Sequence, residues 1–317
     1  MIANVEPLKL FQSVLQLVLM MVPGFLLRKL KIADGNLAKG LAAIVLYVAQ
    51  PAMLVVMFIR PYDSSVMLRA MWVFIFGMLS HAVTYAITMC LFKRTPEQQR
   101  KVYRFAAIFA NTGYMGIPVV MAVLGEQAVI YVSIYIITFN LFSWSLGCLI
   151  YSGDKKYISA KKILVNPATV PIFIGLLFFL LPINQYVPTV VINSLTALEG
   201  LVSPLAMMII GIRLAEVDFK TAFKDKYLPL SLGLRLLVFP ALTWAIMRLV
   251  GLTGLFRDTS YIVMAVVLIC ASTPPSTATS MFAEKFGADT QTASKAVSVG
   301  TVLSILTMPL LALLLQV

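Results

Sequence analysis

Ten apolar runs, each about long enough to cross a lipid bilayer, dominate this 317-residue sequence and leave it few folds. They cover approximately residues 8–27, 37–57, 70–92, 103–124, 127–151, 165–183, 189–214, 228–250, 259–283 and 290–316. A helix spans the hydrocarbon core with about 20 mostly apolar residues, whereas a membrane-barrel strand uses about ten that alternate in polarity. These runs are too long and too uniformly apolar for strands. Composition agrees: 60% of residues are hydrophobic, 12% are charged, and mean hydropathy is +0.93. A soluble domain carries roughly 25% charged residues, enough to keep its apolar patches small. The sequence predicts an all-α polytopic membrane protein with ten transmembrane helices. It excludes a soluble enzyme, a disordered chain and a secreted disulfide scaffold.

A net charge of +12 and a pI near 9.7 would suggest a nucleic-acid partner in a soluble protein. Here the cations are sorted by loop. Arg28–Lys39, Lys93–Arg104, Lys155–Lys162, Arg213–Lys226 and Lys285 put 18 on one side, against five (Lys9, Arg60, Arg69, Arg248, Arg257) on the other. The positive-inside rule places the richer set in the cytoplasm and both termini on the extracytoplasmic side of the plasma membrane. The basic pI is thereby explained by the bilayer, and no nucleic-acid partner is expected. Cys90, Cys148 and Cys270 each lie in an apolar run with no CxxC pair, which indicates neither a disulfide framework nor a zinc site. The opening MIANVEPLKL lacks the positive start of a signal peptide, so the first run reads as an uncleaved helix.

The two halves of the chain resemble each other weakly. Val5-Glu6-Pro7 faces Val165-Asn166-Pro167, Pro23 faces Pro182, and Gln50-Pro51-Ala52-Met53 faces Ser203-Pro204-Leu205-Ala206-Met207. Gly125-Glu126-Gln127-Ala128 after the fourth run matches Gly287-Ala288-Asp289 after the ninth. Five helices per half is odd, so the second copy enters the membrane upside down. Such an inverted repeat, 1–160 and 161–317, is a transporter signature.

Two runs do not suit continuous helices. The fourth contains Asn111-Thr112-Gly113-Tyr114-Met115-Gly116-Ile117-Pro118, and the ninth contains Ser272-Thr273-Pro274-Pro275-Ser276-Thr277. Proline removes a backbone donor and blocks the preceding turn, and glycine weakens a helix. Irregular backbone at membrane depth is tolerated only within protein or beside a cavity. Each break should expose half-helix ends, whose N-termini carry free N–H groups and about half a positive charge. Two such ends together make an anion site without lysine or arginine, to which Asn111, Thr112, Ser272, Thr273, Ser276 and Thr277 add neutral polar groups.

NTGYMGIPVV with the following GEQA, then VNPATVPIFIGLLF, and the closing STPPSTATSMFAEKFGADTQTASKAVSVGTVLSILTMPLL resemble the auxin efflux carrier family over nearly the whole chain. That family includes plant PIN-type auxin exporters and bacterial malonate and malate permeases. The resemblance implies a 5+5 inverted repeat in which helices 4 and 9 cross near the midplane at their prolines. It also implies a homodimer whose helices 1, 2, 6 and 7 form a scaffold while helices 3–5 and 8–10 move as an elevator. Asn111, Pro118, Thr273, Pro274 and Pro275 would then sit at the crossover. One departure stands out: the second break is TPPS, with no asparagine beside its proline, so the half-sites are unequal. The central loop, about 152–164, is also short.

Other polar residues in the runs carry open alternatives. His81, the sole histidine, is either a proton carrier or a neutral interior group. Arg235 lies roughly 10 Å from the cytoplasmic end of helix 8, close enough to snorkel or to support an anionic substrate. Asn140 is expected to face the crossover from helix 5. Gln50 and Ser203, before matched prolines, either line the substrate path or satisfy kinked backbone. Glu199 and Asn193 read as near water. No GxxxxGK[ST] or HExxH pattern occurs, and no carboxylate pair lies mid-run for acid–base work.

These observations predict a transporter of small organic anions, mono- or dicarboxylates, acting in efflux, with no enzymatic activity and no cofactor. The substrate would meet Asn111, Thr112, Gly113, Tyr114, Pro118, Ser272, Thr273, Pro274, Pro275, Ser276, Gln50 and Asn140. The alternative is a sodium- or proton-coupled importer similar to the bile acid:sodium symporters.

Overall fold

A computed structural model describes residues 7–158, 161, 164–165, 167, 169–181, 183–216, 225–252 and 260–316. Val5, Glu6, Asn166 and Pro182 of the repeat, and the loop cations Lys162, Lys220, Lys224 and Arg257, lie outside these residues. Among the described residues the chain is all α, with a single isolated backbone bridge and no strand.

The helices are α1 (Pro7–Lys29), α2 (Gly35–Ile44), α3 (Gln50–Val56), α4 (Ser64–Met89), α5 (Glu97–Ile108), α6 (Ile117–Leu124), α7 (Val129–Phe142) and α8 (Cys148–Ser152). They continue with α9 (Thr169–Leu180), α10 (Thr189–Glu199), α11 (Val202–Leu214), α12 (Tyr227–Gly233), α13 (Phe239–Leu252), α14 (Ser260–Ser272), α15 (Ala278–Phe286) and α16 (Thr290–Ala312). Four π turns, Val45–Ala49, Thr112–Gly116, Ser143–Gly147 and Leu234–Val238, join or open these elements. Such turns are rare and concentrate at functional positions.

Among the described residues, seven continuous stretches are long and apolar enough to cross a membrane: Phe11–Lys29, Gly35–Val56, Ser64–Met89, Glu126–Ser152, Thr189–Leu214, Tyr227–Gly251 and Thr290–Leu315. Three shorter apolar helices, Thr112–Leu124, Thr169–Leu180 and Tyr261–Ser272, fall in the fourth, sixth and ninth apolar runs. The fourth and ninth are shortened because helical structure is interrupted within the run.

Glycine sets the closest packing. A Cβ on Gly24 of α1 would stand 2.1 Å from the Met208 carbonyl oxygen, and one on Gly211 of α11 would stand 2.0 Å from that of Met21. The α1 and α11 backbones therefore touch in a way only glycine permits. α3 packs between α9 and α10, with Phe58 seated against Gly175. A second group joins α4 to α7 and α14, and the Ser80 and Thr243 hydroxyls, 2.8 Å apart, tie α4 to α13. Beneath the interruptions lies a buried aromatic cluster in which the Phe105 ring is 4.3 Å from Phe109, 5.0 Å from Phe282 and 5.2 Å from Tyr151. Contacts of this kind contribute about 0.5–1.5 kcal/mol per pair beyond burial.

Candidate functional site

α5 stops at Ile108 and helical structure resumes at Thr112; α14 stops at Ser272 and α15 begins at Ala278. The second stop follows from Pro274 and Pro275, which cannot continue a helix. The two intervening segments lie antiparallel, with Ala110 opposite Pro275. The Asn111 N–H donates to the Pro274 carbonyl at 2.8 Å, and the Ser276 N–H donates to the Phe109 carbonyl at 2.9 Å. This pairing asks no N–H of either proline. It also satisfies backbone groups that water cannot reach. Pro118 follows the Thr112–Gly116 π turn directly, inside the helical stretch Thr112–Leu124, where the widened turn accommodates a residue that has no N–H to donate.

The polar side chains of the two segments are unequally engaged. Ser272 Oγ donates to the Ile269 carbonyl and Thr273 Oγ1 to the Cys270 carbonyl, both at 2.9 Å. Ser276 Oγ accepts from the Ala278 N–H at 3.2 Å. By contrast, Asn111 Nδ2 and Thr112 Oγ1 are buried with no hydrogen-bond partner, in residues 2% and 1% exposed. Neither Asn111 nor Thr277 caps its helix with its side chain. The first turn after the first interruption, from Thr112, thus keeps the free N–H groups of a helix start, whereas at the second Ser276 takes up the Ala278 N–H through its hydroxyl and the Thr279 N–H through its carbonyl. A buried donor left unmade costs roughly 1–3 kcal/mol.

Gln50, the first residue of α3, is buried, and its Nε2 lies 3.3 Å from where a Cβ on Gly113 would stand. It follows the Val45–Ala49 π turn directly. Gly113 and Tyr114 are half-buried, and the Thr112–Gly116 turn packs on α11, the helix of Ser203. Thr273 approaches Gly116 from the other segment: its Cγ2 is 3.6 Å from a Cβ placed there. The structure therefore brings Asn111, Thr112, Gly113 and Gln50 together, with Thr273, Pro274, Pro275 and Ser276 on the facing strand of chain.

Other expected residues lie elsewhere. Asn140 Nδ2 donates to Thr169 Oγ1 of α9 at 3.1 Å. Arg235 does not snorkel; it is 3% exposed and hydrogen-bonded to the carbonyls of Ile108, at 2.8 Å, and Ala271. His81 is buried among Phe109, Tyr135 and Phe142, and its Nδ1 lies 2.7 Å from the Gly77 carbonyl. A carbonyl only accepts, so Nδ1 carries the proton. Glu199 is buried at the end of α10, just before α11 begins; Asn193 is exposed.

Two contributors escaped the sequence reading. Gly300 of α16 makes room for the second interruption, since a Cβ there would stand 2.4 Å from Pro275 Cδ. Phe109 supplies both the accepting carbonyl and a ring against His81. Two cavities open beside other residues. One of about 430 Å³ is lined by Arg60, Gly125, Glu126 and Gln127, and one of about 240 Å³ by Arg60, Asp63, Arg69, Gln127 and Tyr131.

Comparison with known proteins converges on transport. The membrane transport protein family matches residues 9–163 and 155–312. An uncharacterized transporter of Methanothermobacter thermautotrophicus is 23% identical over 304 residues, 94% of this chain and 96% of its own length. The uncharacterized transporter MJ1031 of Methanocaldococcus jannaschii is 24% identical over 307 residues, with the same coverage of both chains. With apolar helices throughout and a family match from end to end, the chain belongs to the membrane transport protein family of the auxin efflux carriers and is a multi-pass membrane protein.

Proposed function

We propose that the protein carries small organic anions, mono- or dicarboxylates, across the plasma membrane as a secondary active or facilitative transporter working in efflux. The observation that carries this reading is the pair of buried, unpartnered donors, Asn111 Nδ2 and Thr112 Oγ1, beside the helix start at Thr112. A carboxylate there gains charge-assisted hydrogen bonds and the positive end of a helix dipole. Gln50 adds an amide from α3.

In this reading ten membrane helices form a 5+5 inverted repeat, 1–160 and 161–317, with both termini extracytoplasmic. Helices 4 and 9 cross near the midplane, where Asn111 pairs with Pro274. Helices 1, 2, 6 and 7 (α1–α3 and α9–α11) are the scaffold, and helices 3–5 and 8–10 slide against it. The packing of α1 on α11 and of α3 on α9 and α10 supports that division, as does the separate association of α4, α7, α13 and α14. The resemblance to auxin efflux carriers supports a homodimer. The arginines at the two cavities, Arg60 and Arg69, suit the passage of an anion.

A thermal-shift series on the purified protein tests the site. Malonate, malate and longer carboxylates are compared in sodium and choline salts at two pH values. A bound anion at a hundred times its Kd stabilises by about 2.7 kcal/mol. Asn111→Ala is expected to weaken binding at least about tenfold, the equivalent of one charge-assisted hydrogen bond, with membrane expression unchanged. A melting temperature that no anion moves, or an Asn111→Ala response equal to the parent's, overturns the reading.

A further inference from the structure

Four half-helix ends meet at the interruptions, and only two of them are N-terminal. The other two, Ile108 closing α5 and Ser272 closing α14, are C-termini. Each leaves carbonyls without intrahelical donors and carries about half a negative charge. Buried side by side away from water, two such ends need a cation. Arg235 supplies it. One terminal nitrogen donates to the last carbonyl of α5, at Ile108, and the other to the carbonyl of Ala271, one residue before the end of α14. No ion pair among the described residues involves Arg235, although its side chain is almost wholly buried. An unpaired buried cation is costly, so its compensation has to come from the surroundings. Two helix C-termini of about half a charge each balance one guanidinium. The planar fork also matches the task, since it reaches two acceptors in fixed directions where an ammonium is a single point charge. The Leu234–Val238 π turn, which resets the register of this span, sets the residue in place.

We propose that Arg235 is the resident cation of this carrier. It neutralises the two C-terminal ends from within the chain, so that anion binding at the N-terminal end at Thr112 requires no sodium. The inference rests on the anion-carrier reading for its second half and on geometry alone for its first. Arg235 is thus a positioning residue: it holds the crossing together electrostatically and leaves the donors of Asn111 and Thr112 for the substrate.

The test separates the two halves. Without substrate, Arg235→Ala in detergent is expected to melt below the parent. It should regain stability in millimolar guanidinium chloride but not in equal urea, which has the shape without the charge, or in choline chloride, which matches the ionic strength. With substrate, whichever carboxylate stabilises the parent is expected to do so equally in sodium and choline salts. Arg235→Lys, which keeps the charge and loses the fork, should fold and bind that carboxylate at least about tenfold more weakly, as for loss of one charge-assisted hydrogen bond. Should Arg235→Ala not accumulate in the membrane, the lysine variant is read by the same guanidinium and urea comparison. Rescue by urea as good as by guanidinium, melting unchanged in Arg235→Ala, or strict sodium dependence of the parent overturns the proposal. If no carboxylate stabilises the parent, the anion reading fails while the guanidinium result still decides the role of Arg235.

Discussion

Gly300 has no chemistry of its own, yet it fixes how closely α16 can approach Pro275. A methyl group there would lie 2.4 Å from Pro275 Cδ and 3.1 Å from Leu232 Cδ2. Overpacking of this size costs about 1–3 kcal/mol. Gly300→Ala is therefore expected to lower the melting temperature and to weaken anion binding by displacing Pro275, while Gly233→Ala, where a Cβ meets nothing within 4 Å, should do neither. Melting curves with and without the carboxylate check both. Asn111, Thr112, Pro274 and Pro275 were legible in the sequence because glycine, proline and asparagine in an apolar run break a pattern. Gly300 was not, since one more glycine in a membrane helix carries no mark. Nor were the partners of Arg235: backbone carbonyls 127 and 36 positions away leave no trace in side-chain identity. The Asn140–Thr169 bond was hidden for a related reason. Thr169 stands in the other half of the chain, and composition cannot rank one polar neighbour above another.

Among the elements, the pair α1 and α11 sets the tightest constraint. Gly24 and Gly211 let the two backbones meet, and a branched side chain at either would have to push the helices apart. Gly211→Val is expected to cost about 1–3 kcal/mol or more in stability. If these helices belong to a static scaffold, the Kd for the carboxylate should stay close to the parent's. A fall in melting temperature with affinity retained is the outcome sought in thermal-shift titrations. Seven of the ten apolar runs coincide with described helices long and apolar enough to cross a membrane, because length and hydropathy are what the bilayer demands. They did not reveal the four π turns, although one precedes Gln50, one follows Asn111 and one carries Arg235. A π turn shifts the helical register by one residue, but in a run that is apolar on nearly every face that shift leaves no mark in the sequence.

For the whole molecule, the informative contact is the one between the two proposed groups of helices. Asn140 on α7 donates to Thr169 on α9. If α7 slides against α9 during transport, that bond must break once in each cycle. With Cys90, Cys148 and Cys270 replaced by serine and cysteines at both positions, a mercuric ion is expected to bridge them and arrest carboxylate flux in proteoliposomes, with recovery on adding dithiothreitol. Either cysteine alone should leave flux unaffected by mercury. Uninterrupted flux in the bridged protein would mean that these helices keep their contact throughout.

The stitch between Phe109–Asn111 and Pro274–Ser276 is made of amide and carbonyl groups alone. Its donors are present in every amino acid but proline, and its acceptors in all of them. Point substitutions along it can thus exchange the groups that greet a cargo without undoing the seam that holds the two halves. A carrier built this way is free to drift from one acid to another, its foundation written in the main chain and its taste in the side chains.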